Sequence, residues 1–421
     1  MKNFLANYNL LAVSANAAET AINTEQTLDT SLLVDKSTII SLTPKRESNK
    51  DELTGLEEAD TIYDLGNLAN STLPFSKAQA QHFGFGYAFA LGSRSVAAYG
   101  TGYKHTIIPT SSMDLPGFTG AQRLGSTIMK RRFASLYVDQ LTATFAKDSW
   151  AKLSLGIKGT GKYTDNMFKE NVTAAYNATS LTLAAKGVEG ATAGLRVDNI
   201  HQVRVLVPAT GEYVDVVVTA VSAATPAVLT IVAPGVAATS TTYEVLYTPT
   251  ESGWMTFPSR VVEPPLRVTD LVITLGGKWS GTAFLGGRSL SQEVDSIEHV
   301  INNNLTVENR PGGTGSYANY AIRQGREQTL KLTRQMRDFI LQQRIVDNEY
   351  FGVRMKATGA EFETGKNYYV DVVFPKCAVL NAPISVGGNE LSEAGDLQVL
   401  QDATYGSVLV EIANKVTAYA A

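Results

Sequence analysis

Residues 76–92 read SKAQAQHFGFGYAFALG, a stretch whose apolar side chains the rest of the chain has to cover. Ser76 followed by Gln79 fits a capping box, which predicts a helix N-terminus. Bulky or apolar residues then recur at helical spacing, at Phe83, Tyr87, Ala90 and Leu91. Gly92 follows the last of them and is typical of a helix end. The stretch therefore predicts one apolar helix on a sheet, a structural role rather than a cofactor site.

Two glycines, Gly84 and Gly86, interrupt this predicted helix. Each costs about 1 kcal/mol in a helix interior. Glycine is tolerated there when another backbone must approach closely. We therefore expect a closely packed neighbour along this part of the helix.

Most of the remaining chain predicts β-strands. Residues 136–159 and 266–307 resemble each other, since each begins with Val and Asp near a hydrophobic run with Thr. Lys147-Asp148 and Gly276-Gly277 lie where hairpin turns are expected. The chain is thus predicted to be mainly β, with two similar hairpins as paired halves of one sheet or barrel. A second helix is predicted from Thr333, as its cap, through TRQMRDFILQQR.

Residues 171–250 differ in composition from the segments on either side. They contain 15 Ala, 15 Val and 13 Thr but only eight charged residues. Short apolar runs separated by turns, with a candidate hairpin loop at 210–212, predict a small all-β domain. We therefore divide the chain into an N-terminal arm (1–60), a first part of the main domain (61–168), an inserted β-domain (169–254) and a second part (255–421).

The composition argues against most catalytic classes. The chain has 421 residues, a formal net charge of -4, one cysteine and four histidines. Because Cys377 is the single cysteine, an intrachain disulfide framework is excluded. The histidines lack the spacing of metal ligands. The phosphate-loop-like stretch 156–162 is followed by Tyr163, where magnesium binding needs Ser or Thr. We predict no enzyme, no catalytic, cofactor-binding or metal residues, no broad cationic nucleic-acid surface and no membrane span.

The first 60 residues predict an acidic, extended arm with one docking strand. They carry ten acidic and five basic groups, and residues 44–60 are too polar to bury a face. The start, MKNFLANYNLLAVSANA, also resembles a secretory signal, with Lys2, an apolar stretch and an Ala-x-Ala-like exit. Asn7, Tyr8 and Asn9 interrupt its hydrophobic region. Both interpretations stay open at this point.

One charge pattern has two interpretations. No Lys or Arg occurs between Arg288 and Arg310, but four acidic residues do occur there, on a predicted strand pair: Glu293, Asp295, Glu298 and Glu308. They are either a solvated sheet face or a surface that repels phosphates, so that a polyanion slides past it.

The order of these pieces resembles the bacteriophage major tail tube protein family. The residues that carry the resemblance are KAQAQHFGFGYAFALGSRSVAAYGTGYKHTIIP (77–109), YVDQLTATFAKDSWAKLSLGIKGTG (137–161), PPLRVTDLVITLGGKW (264–279) and YYVDVVFPKCAVLNAP (368–383). The match continues at TLKLTRQMRDFILQQ (329–343) and GDLQVLQDATYGSVLVEIANK (395–415), and the resemblance covers about two-thirds of the chain. The order and style of the segments carry the resemblance, and no single motif in them is diagnostic.

The resemblance implies a tail-tube-type β-sandwich or half-barrel with a flanking helix, assembled as homo-hexameric rings that stack into the tail tube of a virion. It implies that Glu293, Asp295, Glu298 and Glu308 face an anionic lumen, through which phage DNA passes without specific binding. The N-terminal arm and loops would join the rings, and the other partners would be terminator, tip and tape measure proteins. The inserted domain would project outward.

A second functional class is a secreted β-rich adhesin or carbohydrate-binding protein. It requires cleavage of the N-terminal segment as a signal, so the mass of the intact protein distinguishes it from the tail tube hypothesis.

Overall fold

The protein is mainly β, as the sequence predicts. The computed structural model describes residues 6–53, 55–125, 129–235, 239–250, 255–313, 315–387 and 390–420. The chain is 53% strand and 8% helix, in several antiparallel sheets. No sheet in the described ranges closes into a barrel. Nor does any helix there have the length and apolar character needed to cross a membrane.

The elements follow one another along the chain with these bounds. The helices are α1 (Ala80–Leu91), α2 (Ala193–Asp198) and α3 (Ile340–Asp347), with 3-10 turns at Ala6–Tyr8 and Val268–Asp270. The strands are β1 (Leu10–Val13), β2 (Thr30–Leu32), β3 (Ser41–Ser48), β4 (Ile62–Phe75), β5 (Gly92–Tyr99), β6 (Gly102–Pro109), β7 (Phe118–Leu124), β8 (Met129–Ala146), β9 (Lys152–Gly159), β10 (Tyr163–Asp165), β11 (Phe168–Ala175), β12 (Ser180–Thr182), β13 (Ile200–Leu206), β14 (Tyr213–Asp215), β15 (Val218–Val221), β16 (Val228–Ile231), β17 (Ser240–Tyr247), β18 (Leu271–Leu275), β19 (Lys278–Trp279), β20 (Phe284–Leu285), β21 (Arg288–Ser289), β22 (Val294–Asn302), β23 (Leu305–Glu308), β24 (Tyr320–Arg323), β25 (Glu327–Gln335), β26 (Phe351–Glu363), β27 (Lys366–Asn381), β28 (Ile384–Gly387), β29 (Glu390–Val399) and β30 (Leu409–Asn414).

The chain divides into two compact units. The larger consists of Leu11–Ala121, Phe133–Tyr163 and Phe257–Ala421, and the smaller of Gln122–Arg132 and Thr164–Thr256 with the described residues up to Leu10. The smaller unit thus takes in more of the chain than the insertion predicted at 169–254, whose last residues lie outside the described ranges.

The long strand β27 organises the larger unit. One edge of β27 pairs with β26, which continues to β18 and β21. On the other edge, residues 369–373 pair with β30 and residues 377–381 with β29. Two wings therefore leave β27. One wing is β30–β6–β5 and the other is β29–β25–β22–β8–β9–β4–β3, all antiparallel.

The predicted apolar helix is confirmed as α1, and all of its 12 residues are buried. It packs against β5, β6 and β30 in one wing and against β9 in the other. A Cβ added at Gly84 would lie 2.5 Å from the ring of Tyr419, and one added at Gly86 would lie 2.9 Å from Leu155. The glycines do allow a close approach, but the neighbours are side chains rather than the expected backbone.

The cap of α1 differs from the prediction. Gln79 is the N-cap, and its backbone N–H donates to Nδ1 of His82 at 3.2 Å. Ser76 instead donates its hydroxyl to Asp35. The helix starts late because Ala78 is held extended, with its N–H bonded to the carbonyl of Ala151.

Two charged side chains from distant positions bind the ends of α1. Glu263, which is 2% exposed, accepts the N–H of Gln81 in the first turn at 3.0 Å. Arg326 directs its guanidinium at the carbonyl oxygens of Ala90 and Leu91, at 3.4 and 3.3 Å. A carboxylate at the N-terminus and a cation at the C-terminus both complement the helix dipole.

The hairpin predicted within 136–159 is confirmed as β8–β9, but the second one is wrong. Residues 266–307 do not fold back on themselves as one pair, because β18 pairs mainly with β26 and β22 lies between β8 and β25. Gly276 and Gly277 do form a turn, with φ of 84° and 80°, into the short β19–β20 pair. The alternation of apolar and polar residues along a strand specifies which of its faces is buried, but it does not specify which other strand pairs with it.

The helix predicted over residues 333–344 is confirmed only from Ile340 onward, and its predicted start at Thr333 is wrong. Thr333 lies in β25, which runs on to Gln335, and α3 begins only at Ile340. Residues 333–335 pair with β29 and therefore stay in the sheet, although the spacing of the apolar residues that follow favours a helix.

The predicted arm of residues 1–60 contains three strands instead of one. β1 pairs with β2, and Ala12 and Val13 are fully buried in the larger unit. β3 pairs with β4 and forms one edge of the sheet. Lys2, part of the signal-like start, lies outside the described residues.

The smaller unit has its own sheets and core. One sheet is β11–β17–β13–β14 and the other is β12–β16–β15. Buried residues such as Val205, Leu229 and Tyr243 form the core of this unit. The predicted loop at 210–212 is confirmed, since it joins the paired strands β13 and β14.

Replacing Gly84 with Ala is expected to destabilise the protein by about 1–3 kcal/mol through overpacking against Tyr419. Helix propensity alone would predict the opposite effect, because it favours Ala over Gly by about 1 kcal/mol. Denaturant unfolding measures the difference. The control is Gly325→Ala in the same unit, because a Cβ there would contact nothing within 4 Å. Equal stability of the two variants would contradict the packing argument.

Glu263 predicts a pH-dependent contribution to stability. Burial raises its pKa to about 7 from 4.5, only partly offset by the hydrogen bonds from Gln81 and Lys415. The native state therefore keeps a proton that the unfolded chain has lost, so this contribution is full below pH 4.5 and is lost as the pH rises through 7.

In Glu263→Gln, the free energy of unfolding relative to wild type should increase by up to about 3 kcal/mol between pH 4.5 and 8. Guanidinium unfolding at both pH values measures it, with the exposed Glu57→Gln as control. A pH-independent difference would exclude a raised pKa in the native protein.

Candidate functional site

The four acidic residues predicted to face a lumen have cationic or polar partners. Glu293 forms ion pairs with Arg288 at 2.7 Å and with Arg334 at 3.3 Å. The remaining partners are Lys147 for Asp295 at 2.9 Å, Arg310 for Glu308 at 2.9 Å and the Thr144 hydroxyl for Glu298 at 3.3 Å. The hydrogen bond to Asp295 also raises the pKa of Lys147. The acidic run is therefore largely neutralised, by Arg288 and Arg310 at its two ends and by cations from elsewhere in the chain.

The structure does not bring the four carboxylates together on one strand pair. Glu293 precedes β22, Asp295 lies at a bulge in it, and only Glu298 occupies a regular position. Glu308 belongs to β23, which pairs with β24 rather than with β22. The predicted strand pair is wrong because each strand finds its partner elsewhere in the chain.

Glu298 lies on a polar sheet face, which we define by two cross-strand rows on β9, β8, β22, β25 and β29. The first row is Lys152, Thr144, Glu298, Lys331 and Asp396. The second is Ser154, Thr142, Val300, Thr329 and Gln398. The first row contains two cations and two anions, and the second contains no charge. The polar sheet face is thus close to electrically balanced.

Glu293 belongs instead to a buried ionic cluster. Arg334 is fully buried and pairs with Glu293, with Asp338 at 2.8 Å and with Glu393 at 3.0 Å. Glu393 is itself fully buried and also accepts a hydrogen bond from Gln342. These charges hold β25, β29 and the start of α3 together, so Glu293 has a structural role.

A long hairpin, which we call the β3–β4 hairpin (residues 41–75), exposes apolar side chains at its outer end. Ile62 is 68% exposed, Leu65 60% and Leu56 61%. Hydrogen bonds nonetheless hold described residues on both sides of the loop between the strands. The Asn49 side chain bonds to Asp60, and the Tyr63 hydroxyl donates to Glu52 at 2.7 Å. An ordered element with apolar residues in solvent is typical of a surface that binds another protein.

In the sheet of the larger unit, β3 and β5 end the two wings that leave β27, and each has one described partner. Such edges offer unpaired backbone groups to another strand. β3 carries Pro44, Lys45 and Arg46, residues that commonly prevent unspecific pairing at an edge. The hydrophobic pattern predicted that these strands exist. It could not show which strands form the edges, since that depends on the order of all the others.

Three of the histidines, His82, His105 and His299, and the single cysteine, Cys377, are buried. Burial lowers the pKa of His82 to about 3 and that of His299 to about 4, so both are neutral near pH 7. His299 bonds to the Tyr87 hydroxyl at 2.9 Å and to Gln328 at 3.3 Å. Burial raises the pKa of the Cys377 thiol, which opposes formation of a reactive thiolate. The described part of the chain has no group of three or more His, Cys, Asp or Glu residues that could hold a metal.

No family model matches this chain, and no curated protein matches it significantly.

The ion pairs predict different outcomes for two charge reversals. Glu293→Lys should destabilise the protein by about 3–5 kcal/mol, because Arg334 loses a partner within the buried ionic cluster. Glu298→Lys should destabilise the protein by no more than about 1 kcal/mol, since Glu298 is partly exposed and, of its described strand partners, only Lys331 repels the new charge. Thermal and denaturant unfolding of both variants measure this. Equal effects would contradict the distinction between the two carboxylates.

Proposed function

We propose that this protein is a structural virion subunit, the major tube protein of a bacteriophage tail, which assembles with copies of itself into stacked rings. The observation that carries the proposal is the β3–β4 hairpin, an ordered element with an apolar outer end. Burial of one Leu or Ile side chain is worth about 1.5–3 kcal/mol. Covering Ile62, Leu65 and Leu56 at a contact between copies would therefore supply a substantial driving force.

The two open strand edges support the same proposal. β3 and β5 lie on different wings, so an edge-to-edge contact between copies would join unlike surfaces. A head-to-tail contact of this kind generates a ring when its rotation closes and a filament when it does not. Hexameric rings and their stacking remain implications of the family resemblance.

The polar sheet face is the surface that we propose for the lumen. Of the four acidic residues that the resemblance assigns to the lumen, only Glu298 lies on this face. Glu293 belongs to the buried ionic cluster, Asp295 lies at a bulge in β22 and Glu308 lies in β23. Hydroxyl and amide groups with balanced charges neither attract nor strongly repel phosphates. DNA would pass such a face without specific binding. Terminator, tip and tape measure proteins would be the other tail partners.

A secreted adhesin is the competing function, and β1 argues against it. Cleavage after the Ala-x-Ala-like exit at residues 15–17 would remove β1, whose Ala12 and Val13 are fully buried. The purified protein should therefore retain this segment, which the mass of the intact chain would show. A mass lacking residues 1–17 would instead support secretion.

Assembly should depend on the outer end of the β3–β4 hairpin. Concentrated wild-type protein is expected to form uniform rings or tubes in negative-stain microscopy. Ile62→Ser/Leu65→Ser should remain monomeric in light scattering, with unchanged unfolding, because the two side chains are exposed within one copy. Val217→Ser, 65% exposed in the smaller unit, is the matched control and should assemble.

Two outcomes would count against these assignments. Strictly monomeric wild-type protein at every concentration would oppose a tube subunit altogether. Normal assembly of the double variant would show that copies meet through a different surface.

A further inference from the structure

A polar pocket of about 550 Å³ opens in the larger unit, next to the C-terminal end of α1. Its volume lies within the range of small-ligand sites, about 300–1,000 Å³. Its lining includes two arginines, Arg323 and Arg326, and the polar side chains of Gln401, Tyr405 and Ser407. None of the functions discussed above uses this pocket.

The two arginines give the pocket positive charge without an anionic partner. Arg323 donates to the carbonyl of Ser112 at 2.7 Å, while its Nε is buried and has no acceptor. Arg326 donates to Asn303 and to backbone carbonyls. Among the described residues, no carboxylate pairs with either guanidinium. Glu327 also lines the pocket, but its side chain is exposed.

Two neighbouring guanidinium groups without a carboxylate partner are electrostatically unfavourable. Burial, together with the nearby charge of Arg323, lowers the pKa of Arg326 to about 10. A buried donor without an acceptor loses its bonds to water and gains nothing in return. A bound anion would supply hydrogen-bond acceptors to Arg323. It would also place an opposite charge beside both guanidinium groups.

We propose that this pocket binds a phosphate-type oxyanion, with Arg323 as its principal ligand. A guanidinium presents parallel N–H groups that match two oxygens of such an anion. Ser407 accepts a hydrogen bond from Gln328 at 2.8 Å, so its own hydroxyl hydrogen is available to the ligand. The same group occurs in a free phosphate ester and in the phosphodiester of a nucleic acid. The proposal is independent of self-assembly, because all the named residues belong to one chain.

The test is calorimetric titration of the full-length protein with sodium phosphate, against sodium chloride at equal ionic strength. Wild-type protein should bind phosphate saturably. Arg323→Gln should weaken binding by about tenfold or more, since a charge-assisted hydrogen bond is lost. Arg323→Lys keeps the positive charge but lacks the parallel N–H groups of the guanidinium, so it should give an intermediate affinity. Arg337→Gln is the control, because it removes the same charge from an exposed site outside the pocket lining.

Absence of saturable phosphate binding to folded wild-type protein would overturn the proposal, as would equal weakening by Arg323→Gln and Arg337→Gln. Circular dichroism establishes that each variant is folded, and phosphate protection in thermal unfolding gives a second measurement. Competition by a short DNA duplex would identify the phosphodiester as the source of the group. Phosphate binding without such competition would identify a free phosphate ester.

Discussion

A helix with no solvent-facing side has to find partners for its backbone ends inside the protein. α1 is such a helix, and its ends are bound by Glu263 and Arg326, which come from sequence positions far from it and from each other. Buried backbone groups left unpaired are costly. The wings on either side of α1 therefore have to deliver these two side chains as well as cover its surface. Much of the larger unit can be understood as the solution to that requirement.

The buried ionic cluster shows the same dependence on distant residues. A strand with several acidic residues and no basic ones looks strongly anionic when it is considered alone. In the folded chain, Glu293 meets Arg288 and Arg334, and Asp295 meets Lys147. The electrostatic character of a sheet face is a property of several strands together. On the polar sheet face, likewise, Lys152 and Lys331 balance Glu298 and Asp396, so this face is closer to neutral than β22 alone would indicate.

Features that depend on neighbouring residues could be predicted from the sequence, and features that depend on strand order could not. The helix α1, the β8–β9 hairpin and the loop at 210–212 follow from spacing and turn residues within short stretches. The partners of β18 and β22, by contrast, are chosen by competition among many strands with similar alternation. Thr333 illustrates the conflict, because its local pattern favours a helix while pairing with β29 retains it in a strand. For the candidate site, the sequence pattern places Glu298 on a sheet face, whereas it predicts only a polar arm where the structure has the exposed end of the β3–β4 hairpin.

The contact between Gly84 and Tyr419 joins parts of the chain that the ribosome produces at very different times. Synthesis proceeds at about 5–20 residues per second, so tens of seconds separate the appearance of α1 from that of the aromatic ring that covers it. During this interval the phenylalanines of α1 lack their final neighbours, and Arg326 and Glu263 also arrive after the helix. The larger unit can therefore complete its packing around α1 only once Tyr419 has been synthesised, and until then the helix is a natural client for chaperones that shield apolar segments.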